Sequence, residues 1–282
     1  MFWWLLGCEL IDPPVEEIVI DDIQILGLVM DPPESGPGEI VQLTPWVIAP
    51  EGRGYDLLVW TCTPLNGDGP RCLEALLGIE PWAISVAPGE DLFAPGQLWV
   101  PPEAAELLTL VETLQLPLYS LACEPQRCPI IERVIRAPPW PSSTWSELYA
   151  ELADPQAMMS RIGFQGAHLA IRSFVLSRGL DADTRNTNPT ITPTSFIPSG
   201  SLVTSQTLEL SFRIGDRQGG AMVAYGFASE GAITPSERVR FNEVTLYYTA
   251  PEVPTSSAQI WVVIEEDAGS GSAVYTQSWP VL

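Results

Sequence analysis

Hydrophobic and polar residues alternate most clearly over 207–214, where Leu208, Leu210, Phe212 and Ile214 interleave with Thr207, Glu209, Ser211 and Arg213. A period of two places the apolar set on one face of a pleated strand and the polar set on the other. The same reading predicts strands over 23–30, 41–44, 56–62, 116–122, 169–175, 222–227, 239–248, 260–264 and 274–282. Residues 107–114 fit a short helix or a strand equally. Turn-forming clusters separate the runs, notably 31–38 (DPPESGPG), 181–189 (DADTRNTNP) and 268–272 (AGSGS). The last of these joins 260–264 to 274–282 as a terminal hairpin.

A helical period intrudes only once. After the break at 137–141 (APPWP), Thr144-Trp145-Ser146-Glu147 has the spacing of a capping box, and Trp145, Leu148 and Leu152 fall on one helical face. Asp154-Pro155 caps and starts a second short helix through Met158 and Met159. Strands joined by turns on either side of this segment predict a mainly β protein: two antiparallel β-sandwiches joined by a short helical segment. The units expected are a leader and tether over 1–17, a β domain over 18–136, a Pro-rich helical connector over 137–167, and a second sandwich over 168–282.

Composition supports folded cores and narrows the partners. Hydrophobic residues make up 46% of the 282 and charged residues 17%, while 28 prolines and 22 glycines punctuate short elements. The net charge is −22, and every basic residue is arginine. Such an acid excess repels nucleic-acid phosphates and disfavours unaided adhesion to anionic lipid through a basic patch. No window approaches the roughly 20 apolar residues of a membrane-spanning helix.

The chain begins Met1-Phe2-Trp3-Trp4-Leu5-Leu6-Gly7-Cys8 and turns polar at Glu9. Leu5-Leu6-Gly7-Cys8 resembles the lipobox of bacterial lipoproteins. The resemblance implies diacylglyceryl transfer to the Cys8 thiol, cleavage after the small Gly7, and acylation of the new amino terminus. Two or three acyl chains give stable anchoring where one does not. The stretch from Glu9 to Glu17 then serves as a tether. No basic residue precedes Cys8 and the apolar run is short, so the expected true start lies upstream. Glu9 in place of aspartate favours the outer membrane, lipid-anchored, on its periplasmic face or at the cell surface.

The strand, DPPESGPGE turn, strand and Trp60-bearing strand are similar to the opening of immunoglobulin-like domains of the PKD or cadherin type, which recur in predicted surface lipoproteins. That resemblance makes both expected sandwiches immunoglobulin-like. The antibody-type order is absent, because Cys62 follows Trp60.

Cys62, Cys72, Cys123 and Cys128 remain. An even number in an exported chain favours two disulfides. Cys62–Cys72 and Cys123–Cys128 close short loops, whereas crossed pairings would staple distant strands. Spacings of nine and four intervening residues fit a four-thiolate zinc site poorly.

Candidate chemistry is sparse. His168 is the only histidine, so HExxH and multi-histidine metal sites are excluded, and no G-x-S-x-G, GxGxxG or P-loop is present. Asp181, Asp183, Asn186 and Asn188 offer oxygen ligands for Ca²⁺, against a plain Asx-rich turn. Trp46, Trp82, Trp140 and Trp279 lie near prolines. Such rings either fill sandwich cores or, if exposed, bind a glycan. The expected function is that of a non-enzymatic, lipid-anchored envelope protein serving as scaffold or binding module. Its partners would be the membrane, through its lipid, and an envelope or extracellular protein. The alternatives are a carbohydrate-binding or hydrolase-accessory module, and a structural subunit of a surface appendage or secretion machine.

Overall fold

A computed structural model describes residues 22–49, 53–63, 72, 79–88, 96–109, 111–137, 143–163, 165–178, 185–215, 221–266 and 271–282. The first unit contains β1 (Gln24–Asp31), β2 (Glu34–Ser35), β3 (Ile40–Ile48), β4 (Tyr55–Thr61), β5 (Trp82–Val86), β6 (Gly96–Trp99), β7 (Thr113–Cys123) and β8 (Ala167–Ser177). They form a three-stranded sheet in the order β1-β3-β6 and a five-stranded sheet in the order β2-β8-β7-β4-β5. Between the sheets lies a core built from alternate positions, including Leu28, Met30, Val41, Leu43, Leu57, Val59, Leu116, Leu118 and Phe174. A short 3₁₀ helix (Pro102–Thr109) leads into β7, so the ambiguous 107–114 stretch divides between the two readings.

Three helices, α1 (Pro129–Ile135), α2 (Ser143–Leu152) and α3 (Pro155–Ile162), cover the other face of the five-stranded sheet. Leu58, Trp60 and Cys62 of the β4 run point into this second layer, against Ile131, Leu148, Leu152 and Met158. The Trp60 indole donates to the Leu152 carbonyl at 3.2 Å and stacks on Tyr119 at 5.2 Å. Strand β4 is therefore wrapped on both faces, which is why 56–62 reads as nearly continuous apolar sequence. Asp154 caps α3 by accepting from the Ala157 N–H at 2.9 Å, with Pro155 in the first turn as expected.

The helices do not join the two sandwiches. They are inserted between β7 and β8, which pair antiparallel from Thr113↔Ser177 to Cys123↔Ala167. The expected start of the second unit at 168 is thus displaced: β8 closes the first sheet, and the first unit runs to Ser177. The sequence pattern identifies β8 as a strand but carries no information about which sheet accepts it. Both expected short disulfides are present, Cys62–Cys72 with a Cα–Cα distance of 4.8 Å and Cys123–Cys128 with 6.1 Å. The second ties the end of β7 to the start of α1.

The second unit contains β9 (Thr190–Pro193), β10 (Thr207–Gly215), β11 (Met222–Ala228), β12 (Ala232–Ile233), β13 (Ser236–Arg238), β14 (Glu243–Thr249), β15 (Thr255–Glu266) and β16 (Ser272–Val281). Its two four-stranded sheets, β12-β14-β10-β9 and β13-β11-β15-β16, enclose Leu210, Phe212, Ile214, Leu246, Tyr248, Ile260, Val262 and Trp279. The single strand expected over 239–248 is instead a turn followed by β14. Arg240 and Glu243 bond reciprocally at 2.9 Å, and Phe241 and Asn242 both take positive φ, 52° and 63°.

Strand for strand, the units share one connectivity. In the first, β1-β3-β6 faces β4-β7-β8; in the second, β9-β10-β14 faces β11-β15-β16. Each reproduces the A-B-E against C-F-G arrangement of immunoglobulin-type sandwiches. The protein is mainly β, and the helices are an elaboration between the strands in the F and G places of that scheme.

Candidate functional site at the junction of the two units

The outer face of β1-β3 packs against the outer face of β11-β15-β16. Leu26, Trp46 and Ile48 from the first unit meet Tyr225, Phe227, Trp261, Val263 and Val274 from the second. Alternation along β15 explains the arrangement. Ile260, Val262 and Ile264 enter the sandwich core, which leaves Trp261 and Val263 facing outward. Both are nevertheless buried, at 8% and 0% exposure, because the other unit covers them. The backbones approach closely at Gly27, where an added Cβ would lie 3.2 Å from Val263 Cγ1. Gly27 directly follows the register shift of β1 that lets Leu26 turn outward.

Polar contacts gather at one end of this apolar contact, where β15 turns into β16. The Arg172 guanidinium of β8 is ion-paired with the Glu265 carboxylate of β15. Arg185 pairs with Glu39 at 2.6 Å, and Glu39 also accepts from the Gly36 N–H at 2.9 Å and the Ser35 hydroxyl at 3.1 Å. The Asn186 N–H donates to Glu34 at 2.9 Å, and its side-chain amide donates to Glu266 at 3.0 Å. The Ser177 hydroxyl donates to the second oxygen of Glu34. Asn188 bridges the units directly: its Nδ2 donates to the Met30 carbonyl at 2.7 Å and its Oδ1 accepts the Ser272 N–H at 3.1 Å. The Ser272 hydroxyl donates to the Leu28 carbonyl at 3.1 Å.

Burial and the neighbouring groups shift the titration of three side chains near this junction. Desolvation pushes the Glu265 carboxyl up, and the attraction of Arg172 only partly offsets it. Burial also pushes Glu39 up, but the Gly36 N–H, Arg185 and Ser35 outweigh it and hold the group below its ordinary value. The His168 imidazole is held below its usual value by burial and by Arg172, against the opposing pull of Asp22. Its Nδ1 accepts the Ile25 N–H at 3.1 Å, so the sole histidine fastens β1 to β8.

A cleft of about 410 Å³ opens beside these polar contacts, lined by Gln115, Arg172, Tyr225, Glu265 and Glu266 among others. Its carboxylates are tied to Arg172 and Asn186, an arrangement suited to holding two modules together.

The residues singled out from sequence separate as follows. Asn186 and Asn188 come together at the junction, where they act as hydrogen-bonding clamps. Asn188 has both ends of its amide committed to hydrogen bonds. Asp181, Asp183 and Cys8 lie outside the described residues, as does Trp140. Among the described residues no cluster of three or more His, Cys, Asp or Glu side chains has metal-binding geometry. Trp279 is a core residue stacked on Tyr248, Trp82 packs against the first core, and Trp46 belongs to the junction. No described helix is long and apolar enough to cross a membrane.

Sequence reasoning missed Arg172, Glu265, Leu26 and Trp261. The signal available was the unbroken apolar run Ile260-Trp261-Val262-Val263-Ile264, which a sandwich strand with one wet face does not need.

No family model matches the chain, and no curated protein does. Among solved structures it is similar to the fibronectin(III)-like modules of Clostridium thermocellum CbhA, at 9% identity and TM-score 0.28, over 92% of this chain and 93% of that one. A chimeric titin Z1Z2–Z1Z2 tandem matches at 12% identity and TM-score 0.29, over 92% and 99%. The D0–D1 domain of intimin matches at 7% identity and TM-score 0.24, over 90% and 98%. At these TM-scores the sandwich assignment rests on the strand orders and registers given above.

Proposed function

We propose that this chain is a non-enzymatic scaffold or binding protein of the bacterial envelope, held to the outer membrane by lipid on Cys8. Its two sandwiches act as one rigid body. The observation that carries this reading is the junction. An apolar sheet-on-sheet contact centred on Leu26, Trp261 and Val263 is flanked by Arg172–Glu265, Asn186–Glu266 and Asn188–Met30. Tandem modules joined by a bare linker move independently by default. Burying outward faces on both units fixes their relative orientation instead, which suits a display or spacing element. The loops at the free ends of the sandwiches supply the contact surfaces.

The anchor and the rigidity are tested separately. Mass spectrometry of the amino-terminal peptide from the native envelope should show cleavage before Cys8 and a diacylglyceryl-bearing cysteine. An unmodified Cys8 in an intact leader rejects the anchor. Small-angle scattering should fit a single fixed arrangement of the two units, and a broad distribution of inter-unit distances rejects the scaffold reading.

A further inference from the structure

The helical layer departs from the acidity of the rest of the protein. Over 127–161 four arginines are matched by four carboxylic acids, in a chain whose net charge is −22. Between α1 and α3 this layer opens a groove of about 440 Å³. The buried Ile130 and Met158 lie at its bottom, the half-buried Ile162 beside them, and the exposed Arg127 and Arg161 at its mouth. The carboxylate among its described lining residues, Glu151, is ion-paired with Arg133 at 2.5 Å and stands 4.0 Å from Arg161. The neighbouring acids are committed too: Glu124 to Arg53 at 2.6 Å, Glu132 to Arg136 at 2.5 Å, and Asp154 to the Ala157 N–H that it caps. Glu147, one turn before Glu151 on α2, lies outside the lining. Among the described residues no ion pair involves Arg127.

The first described residue, Asp22, is fastened beside this groove. Its carboxylate accepts the Gly166 N–H at 2.8 Å. A Cβ on Gly166 would lie 3.1 Å from Arg127 Cδ, and one on Gly163, at the end of α3, 3.8 Å from Arg127 Nη2. The Arg127 side chain therefore bridges from the Asp22 anchor to the end of α3. Immediately before Asp22 the sequence reads Glu16-Glu17-Ile18-Val19-Ile20-Asp21, three aliphatic residues between acids. Residues 9–22 carry six acids and no base.

We propose that the groove between α1 and α3 receives residues 16–20 of the same chain. In an extended segment the side chains on the side of the Asp22 carboxylate are those of Ile20, Ile18 and Glu16. Ile18 and Ile20 then cover Ile130, Met158 and Ile162, and Glu16 meets Arg161, whose hold on Glu151 is loose. The lengths agree: five extended residues reach about 17 Å, and α3 is about 12 Å long. Two considerations select this occupant. A separate acidic peptide is repelled by the molecule as a whole, whereas this segment is tethered at Asp22 and is present at an effective concentration of about millimolar or more. The pattern of acid, aliphatic and acid in the segment also complements arginine, aliphatic and arginine in the groove. Docking leaves 9–15 as the free tether where Cys8 carries lipid, and it holds equally where Cys8 does not.

Hydrogen exchange on the full chain carrying Cys8→Ser, read by mass spectrometry, tests the proposal. The amides of 18–20 should exchange at least about tenfold more slowly than in an unstructured peptide. Ile18→Asp should abolish that protection, because it sets a carboxylate against the apolar bottom of the groove. Arg161→Glu should lower it by about threefold or more, and adding Glu16→Arg to that chain should restore it. Arg238→Glu, at an exposed arginine of β13, should leave it unchanged. Exchange in β4 and β7 should be the same in every chain, which separates loss of docking from loss of fold. Parent amides that exchange at the unstructured rate overturn the proposal, as does protection that survives Ile18→Asp. So does a response to Arg161→Glu no larger than that to Arg238→Glu, or a swapped chain no better than Arg161→Glu alone. Protection that rises with protein concentration overturns it as well, since the segment of a second copy would then fill the groove.

Discussion

Placing an aspartate at Leu26 should separate the two units while leaving each folded. Leu26 is 2% exposed, yet it contributes to neither sandwich core; its neighbours are Trp261 and Val263 across the junction. Truncating a well-packed leucine to alanine costs about 2–5 kcal/mol, and less where the surroundings can close in. Two sheets that can shift against each other favour the lower end, about 2 kcal/mol. At 1.4 kcal/mol per decade, Leu26→Ala moves the docked-to-undocked ratio by about thirtyfold. Leu26→Asp adds the cost of burying a carboxylate without a partner, several kcal/mol more, and the open form then dominates. Small-angle scattering should report a larger radius of gyration for Leu26→Asp, and calorimetry should resolve two transitions where the parent shows coupled unfolding. Unchanged scattering would refute the reasoning. Loss of the first unit's own folded signature would refute it too, since Leu26 would then belong to that core.

Three further outcomes follow from local geometry. Reducing Cys62–Cys72, or replacing both residues with serine, should cost about 2.5 kcal/mol on the chain-entropy model, read as a lowered urea midpoint; an unchanged midpoint denies the bond a stabilising role. His168 is held below its ordinary value, so the unfolded chain takes up the proton first. Stability should be full above about pH 6.5 and should fall as pH drops through the lower folded value, and His168→Asn should lose that slope between about pH 7.5 and about pH 5. Glu265, pushed up by burial, works in the opposite sense, favouring the folded state as it protonates, so the two effects are separated by the variant. Converting Phe241-Asn242 to Asn-Gly should raise the melting temperature, by about 1 kcal/mol of stabilisation, because both positions adopt the left-handed backbone that Asn-Gly turns favour; a lower melting temperature would show that Phe241 contributes contacts its exposure conceals.

Much of the fold is legible in local pattern. Period-two alternation located β10, and the apolar run of β4 and turn chemistry marked its neighbours. Asp154-Pro155 announced the start of α3, and short loops selected both cysteine pairs. Pairing over long separations left no such mark. Strand β8 reads as a strand wherever it goes, and its ladder with β7 is fixed by the three-dimensional closure of the sheet. Asn186 and Asn188 sit in a sequence that signals a turn, while their partners Glu34, Glu266, Met30 and Ser272 are remote in the chain. The junction was half visible. The uninterrupted apolar run 260–264 in β15 implies cover on both faces, but nothing in the sequence says that the second cover is the other sandwich.

The insertion of three helices between β7 and β8 also governs the order in which the protein can be completed. A chain that emerges amino terminus first presents β7 with one edge unpaired until all of α1, α2 and α3 and then β8 have followed. During that interval the helices can already cover the sheet's outer face, and Cys123–Cys128 can pin the point where they begin. Emergence of Ser177 lets the ladder close, and with it β8 delivers Arg172 to the place where Glu265 will arrive. Closure of that one ladder thus completes the first module's sheet and, together with it, places the module's half of the Arg172–Glu265 pair.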